Sequence, residues 1–360
     1  MPVSARRVYG GRQPPGSSPD TGERAFAYAR ACGIIGKSFV GKRTSALGKL
    51  HSLTDLNLLV FPEAAHELPG RELLINLEGR ILQRTTRQIL AIINSYSSPP
   101  ELLIRQLRSC EYADLKTCLH YISTGKSNPP VLSDIGRFRT IRFDAYPDLV
   151  RMLTGTEFAF LLNKDLKAIK SADFDPTPLE AELDLRYYTL LVQSLSRLSA
   201  ADRLYTQQIL ADEISLRNCV WALRLRIYFK KSAADTAEHL MNIRMHGNPS
   251  KNLASEALSS LYLPLDSRAQ WKGWKWEKFL NAEKSGEPWS VNPRHFQNAA
   301  SQYLYRLAWR RFHNAPATMS AFFCYIKIKQ FEEDLLTSIA EGLGMGMNSA
   351  DVFQLLEVPA

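Results

Sequence analysis

The chain has 360 residues, of which 45% are hydrophobic and 22% charged, the composition of an ordinary globular chain long enough for two or three domains. No run of 18 apolar residues occurs, since stretches such as 158–162 are cut by Asn163 and Lys164, so no transmembrane helix is expected. The net charge of +9 suits nucleic acid, an anionic membrane face or an acidic protein partner, and its sign alone does not choose among them.

Residues 1–22 carry Gly10, Gly11, Pro14, Pro15 and Gly16, too little apolar surface to offset the entropy of ordering, so a flexible tail is expected there. Arg6-Arg7 lacks the apolar stretch of an export signal, and a cytoplasmic chain is expected. Residues 26–30 read as a helix already under way. Gly33-Ile34-Ile35-Gly36-Lys37-Ser38 has the tail of a phosphate-binding loop, but Ala31 stands where the first glycine belongs and no strand precedes it, so nucleotide binding is not expected.

Further along, hydroxyl-to-carboxylate spacings at Ser98/Glu101, Thr177/Glu180, Ser199/Asp202 and Ser232/Asp235 mark four helix starts, with Pro99 and Pro178 at first helical positions. Apolar residues between them keep helical period, as in Tyr188, Leu191, Leu195 and Leu198. Asn292-Pro293 opens a helix to about His313, and Asn314-Ala315-Pro316 turns the chain into another over about 317–343, a helical hairpin. Sustained alternation of period two is hard to find. The fold class expected is all-α.

One signal recurs at roughly a third of the length: 111–116, 213–218 and 332–337, each expected near the end of a long amphipathic run. Short helices over 50–59, 146–153 and 270–280 precede the three copies. The positions that mark the repeat are Glu111 and Asp114, Ser215 and Asn218, Glu332 and Leu335, with Gly342 closing the last helix; they are read as helix-start and packing determinants rather than active sites.

Catalytic constellations are missing. Five scattered cysteines lack zinc-site spacing, seven histidines show no four-residue pairing, and His239 and His246 merely share a helix face. Glu332-Glu333-Asp334 points round a helix, so solvation is its expected role. Rows such as Arg80, Arg84, Arg87 and Arg306, Arg310, Arg311 are expected to be solvated faces. Trp271, Trp274 and Trp276 interleaved with Lys272, Lys275 and Lys278 could stack on single-stranded nucleic acid, but anchoring of a small helix is the commoner use of such tryptophans. No catalytic residue, cofactor or metal site is expected.

The copy at 213–224, Glu-Ile-Ser-Leu-Arg-Asn followed by Trp221-Ala222-Leu223-Arg224, resembles a helix of the AC39-like family, the C subunits of the archaeal and bacterial V/A-type rotary ATPases and their relatives in the V0 part of the vacuolar enzyme. Asn218 matches that family's pattern, while Ser215 stands where its acid is expected. Glu111 and Glu332 match the acid, with Asp114 and Leu335 in place of the Asn. Residues 26–30, 153–158 and 325–332 with Gly342 are similar to further family segments in the same order, so the resemblance covers about 23–357.

This resemblance implies an all-α funnel of three similar subdomains, 23–134, 135–250 and 251–360, in a pseudo-threefold arrangement. It further implies a non-catalytic central-stalk subunit, a peripheral protein on the cytoplasmic face of the membrane. There it would link the membrane rotor ring to the central shaft subunits and pass torque for ion transport, including proton transport, or ATP synthesis. A basic α-helical nucleic-acid-binding protein is the alternative, although nucleic acid is not the expected partner.

Overall fold

A computed structural model describes residues 21–63, 68–169, 171, 174–245 and 248–357; most of the expected tail lies outside them. The chain is all-α. The first third holds α1 (Thr21–Ile35), α2 (Thr44–Leu47), α3 (Leu53–Val60), α4 (Gly70–Ile93), α5 (Glu101–Leu107) and α6 (Ser109–Ser123). The middle holds α7 (Leu149–Leu153), α8 (Leu166–Ile169), α9 (Thr177–Ser194), α10 (Ala200–Ile227) and α11 (Ala233–Glu238). The last third holds α12 (Ser255–Ser260), α13 (Pro293–Asn314), α14 (Met319–Gly344) and α15 (Ser349–Leu356). Among the described residues the only β pairing is a short antiparallel ribbon of Arg244–Met245 with Asn248–Asn252.

Local chemistry sets most boundaries. Ser52 and Asp55 form a reciprocal capping box on α3. Ser199 accepts from the Asp202 N–H at the start of α10, and Ser232 from the Asp235 N–H at the start of α11, as the spacing predicts. Asn292 caps α13 and Thr318 caps α14, so the expected hairpin forms within two residues of its expected ends. Two helix starts differ. The helix after Ser98 begins only at Glu101, behind Pro100 and without a side-chain cap, because two successive prolines hold the chain extended. At α9 the cap comes from upstream, where Asp175 Oδ1 accepts the Thr177 N–H at 2.9 Å.

Helix α14 is the hub. Its consecutive residues Phe322 to Ile326 are all buried, which covers the full circumference, as expected of a helix enclosed on every side. It packs on α13, α4, α10, α5 and α1. Each fully buried apolar side chain of this size contributes roughly 1.5–3 kcal/mol, so α14 is a principal source of stability. Gly342 lets α15 approach: a Cβ there would collide with the Val352 side chain.

A second core gathers the later half of α10, α12, the start of α13 and the tryptophans. The expected short helix over 270–280 is instead two 3-10 turns, Arg268–Trp271 and Glu277–Phe279. Gly273 between them takes φ of +85°, which breaks a helix. Trp271, Trp274 and Trp276 are buried, and their ring N–H groups donate to Pro264 O, Glu256 O and Ser215 Oγ. They are anchors, with no face free for a base. This core draws on Cys219 and Leu223 as well as Ala257 and Trp271, so it straddles the expected 250/251 boundary.

Candidate functional site: a charged crevice beside three loop clamps

Four of the repeated polar positions work as clamps on loops, while Ser215 accepts the Trp276 ring N–H. On α6, Glu111 accepts the backbone N–H groups of Thr140 and Ile141, both at 2.6 Å, and Asp114 accepts the N–H and hydroxyl of Ser133 at 3.0 and 3.1 Å. On α10, Asn218 Oδ1 accepts the Met241 N–H at 2.8 Å while its Nδ2 donates to Met241 O at 3.1 Å. On α14, Glu332 accepts the Phe39 N–H at 2.7 Å and the Ser38 hydroxyl at 3.0 Å. A loop N–H buried against a helix must find an acceptor, and these residues supply it.

The structure corrects three expectations. Ser215, Asn218, Glu332 and Leu335 lie in the interiors of α10 and α14, far from either end, so they are packing positions and not helix starts; Glu111 alone sits in a first turn. Nor is the run 332–334 solvated throughout: Asp334 is exposed, Glu333 is half-buried and Glu332 is enclosed. Glu332 is fully buried and also meets Arg84 at 3.2 Å and Lys329, so Arg84 belongs to this network rather than to a solvated row. Burial, and then the nearby Arg84 charge, pull the Lys329 ammonium well below its ordinary range. Leu335 is buried in the main core, so in the third copy the pair is one acid and one apolar residue. The clamps differ in direction: α6 and α10 hold loops that follow them, and α14 reaches back to the loop after α1.

Between α4, α6, α9, α10, α13 and α14 lies a crevice of two lobes, about 380 and 430 Å³, that share Asp184, Arg217 and Asp334. At its floor Glu213 accepts from Tyr188 Oη and Lys327 Nζ, each at 2.7 Å, with Arg217 Nε at 3.6 Å. Burial alone would raise the Glu213 carboxyl, but Lys327 and Arg217 outweigh it and hold the acid below its ordinary range. Lys116 pairs with Asp184 at 2.7 Å. Asp334 opens on the crevice, yet the surrounding protein raises it to about 6 against the pull of Arg217 and Lys327. Burial, with Asp334 adding, lifts Glu333 to about 8.

The sequence placed Glu213 only at the head of the 213–218 segment and singled out Ser215 and Asn218 instead, so Glu213, Lys327, Arg217, Asp184 and Tyr188 were all missed as a cluster. A usable signal was present: Glu213 and Arg217 are one turn apart, and Lys327 and Asp334 two turns apart. Chemically, the crevice is a concave surface of mixed charge whose ion pairs hold its walls in place. Among the described residues no group of His, Cys, Asp and Glu could hold a metal ion, and His239 Nδ1 donates locally to Asp235 O at 2.7 Å; His246 lies outside the described residues. No described helix is long and apolar enough to cross a membrane.

An uncharacterized protein of Treponema pallidum (strain Nichols) is 28% identical over 334 residues, covering 89% of this chain and 92% of that protein. A family model described as ATP synthase (C/AC39) subunit matches residues 72–353, a span that takes in all three clamp helices and both lobes of the crevice. The chain therefore belongs to the ATP synthase (C/AC39) subunit family of V/A-type ATPases.

Proposed function

We propose that the chain is the non-catalytic central-stalk subunit of a V/A-type ATPase, a socket that links the membrane rotor ring to the central shaft and transmits torque. Family membership supports a place in that assembly. The observation that carries the finer reading is the crevice: its walls, of mixed charge, come from six helices, and such a surface grips the charged exterior of an inserted shaft without a catalytic group. We read the clamps at Glu111, Asn218 and Glu332 as markers of three related units, 23–134, 135–250 and 251–360, arranged about that crevice as a pseudo-threefold funnel.

Torque requires that the walls not yield. The Glu332 network ties the loop after α1 to α14, nearly 300 residues later, so first and last units cannot separate without exposing a buried charge. On this reading the protein sits at the cytoplasmic face of the membrane, held there by the ring. A tagged chain purified from detergent-solubilised membranes should bring down both ring and shaft proteins, and recovery of neither would overturn the proposal.

A further inference from the structure

Helix α13 has two working faces. Gln297, Ala300, Ser301 and Leu304 line the crevice, while Gln302, Tyr305, Arg306 and Arg310 line a separate groove of two connected lobes, about 1230 and 360 Å³. Four cations converge on the larger lobe from three parts of the chain: Lys42, Lys278, Arg306 and Arg310. All are exposed, and none has a carboxylate within ion-pair distance among the described residues. The smaller lobe is apolar, with Val40, Phe331 and Leu335 in its walls.

The first part of the same α13 face is already covered, and by acidic, apolar sequence. The segment Leu355-Leu356-Glu357 lies along it: Asn298 Nδ2 donates to Leu355 O at 2.9 Å, Gln302 Nε2 reaches the carbonyls of Leu356 and Glu357, and the Glu357 carboxylate meets His295 Nδ1 at 2.6 Å. Glu357 thus reaches the rim of the groove. Beyond it the cationic stretch of Lys278, Arg306 and Arg310 continues, with no side-chain carboxylate paired to it among the described residues.

From this half-covered track we infer that the groove between the 40–45 turn, Lys278 and α13 docks an acidic, leucine-anchored segment of a partner protein. Its carboxylates would meet Lys278, Arg306 and Arg310, and an apolar side chain would fill the smaller lobe. Charge complementarity and an apolar anchor are the ordinary terms of peptide-in-groove recognition. Nucleic acid fits less well, because the ring faces are taken: Tyr305 stacks on Phe331 at 4.5 Å, and Tyr303 packs on Phe279 while donating to Asp212. Docking of this kind holds whether or not the chain joins a rotary assembly.

The test uses the full chain and three fluorescent probes of one length and similar charge: a helical peptide with Leu at every third or fourth position and Glu between, polyglutamate, and an oligo-dT strand. Fluorescence anisotropy should show the Leu/Glu peptide binding at least tenfold tighter than the other two. The triple variant Lys278→Glu, Arg306→Glu, Arg310→Glu, with unchanged circular dichroism and Tm, should weaken that binding at least tenfold. The single exposed change Lys42→Glu should weaken it severalfold and guards against misfolding of the triple variant. Equal binding of polyglutamate, tighter binding of oligo-dT, or indifference to both charge reversals would each overturn the inference.

Discussion

Glu332 and Asp334 stand two residues apart on α14 and do opposite work. Glu332 has no exposed surface and gathers Phe39, Ser38, Arg84 and Lys329 around it. Asp334 is exposed on the crevice that both lobes share, with the Arg217 and Lys327 charges drawing its carboxyl down against the protein that flanks it. A helix turns about 100° per residue, so neighbouring acids in one run can serve a closed network and an open surface. An acidic run on a hub helix is therefore resolved residue by residue, by what each side faces.

The difference can be attacked from its strongest side. Glu332→Ala should cost about 3–5 kcal/mol in urea unfolding, because Lys329 and the Phe39 N–H would be left buried without their acceptor. A loss below about 1 kcal/mol would mean that the network does not tie the chain's two ends. Asn218→Ala, which removes a two-way bond to Met241, should cost less, about 1–3 kcal/mol by the same measurement.

Glu333, between the two acids, sharpens the contrast through pH. Its carboxyl rises from 4.5 to about 8 in the folded chain, so folding takes up a proton between those values. Its contribution to stability is complete below about pH 4.5, shrinks as pH rises, and is gone above about pH 8. Glu333→Gln should therefore stabilise the chain at pH 8.5, by on the order of 1–2 kcal/mol after allowance for its partial exposure, and change little at pH 4.5. Thermal unfolding of both proteins at the two pH values checks this, and an equal effect at both would contradict it.

The helices were legible because their apolar period and caps are local: Ser199, Ser232 and Asn292 act within three residues of themselves. Residues joined over long sequence distances were not. Nothing local to Glu332 says that its partner is Phe39, and an acidic triplet looks solvated when its neighbours are unknown. Lys327 likewise enters the crevice only because α14 passes beside Glu213 of α10. The 270–280 segment misled for a different reason: its tryptophans have helical spacing, but Gly273 takes a left-handed conformation that ends any helix there.

Whether the crevice receives the shaft can be measured directly by surface plasmon resonance. Recombinant shaft proteins would be titrated onto the wild-type chain and onto Asp334→Lys with Arg224→Glu, two exposed crevice residues on α14 and α10. A socket role predicts at least a tenfold loss of shaft affinity while Tm stays within a degree or two. Undiminished shaft binding by the folded double variant would contradict it.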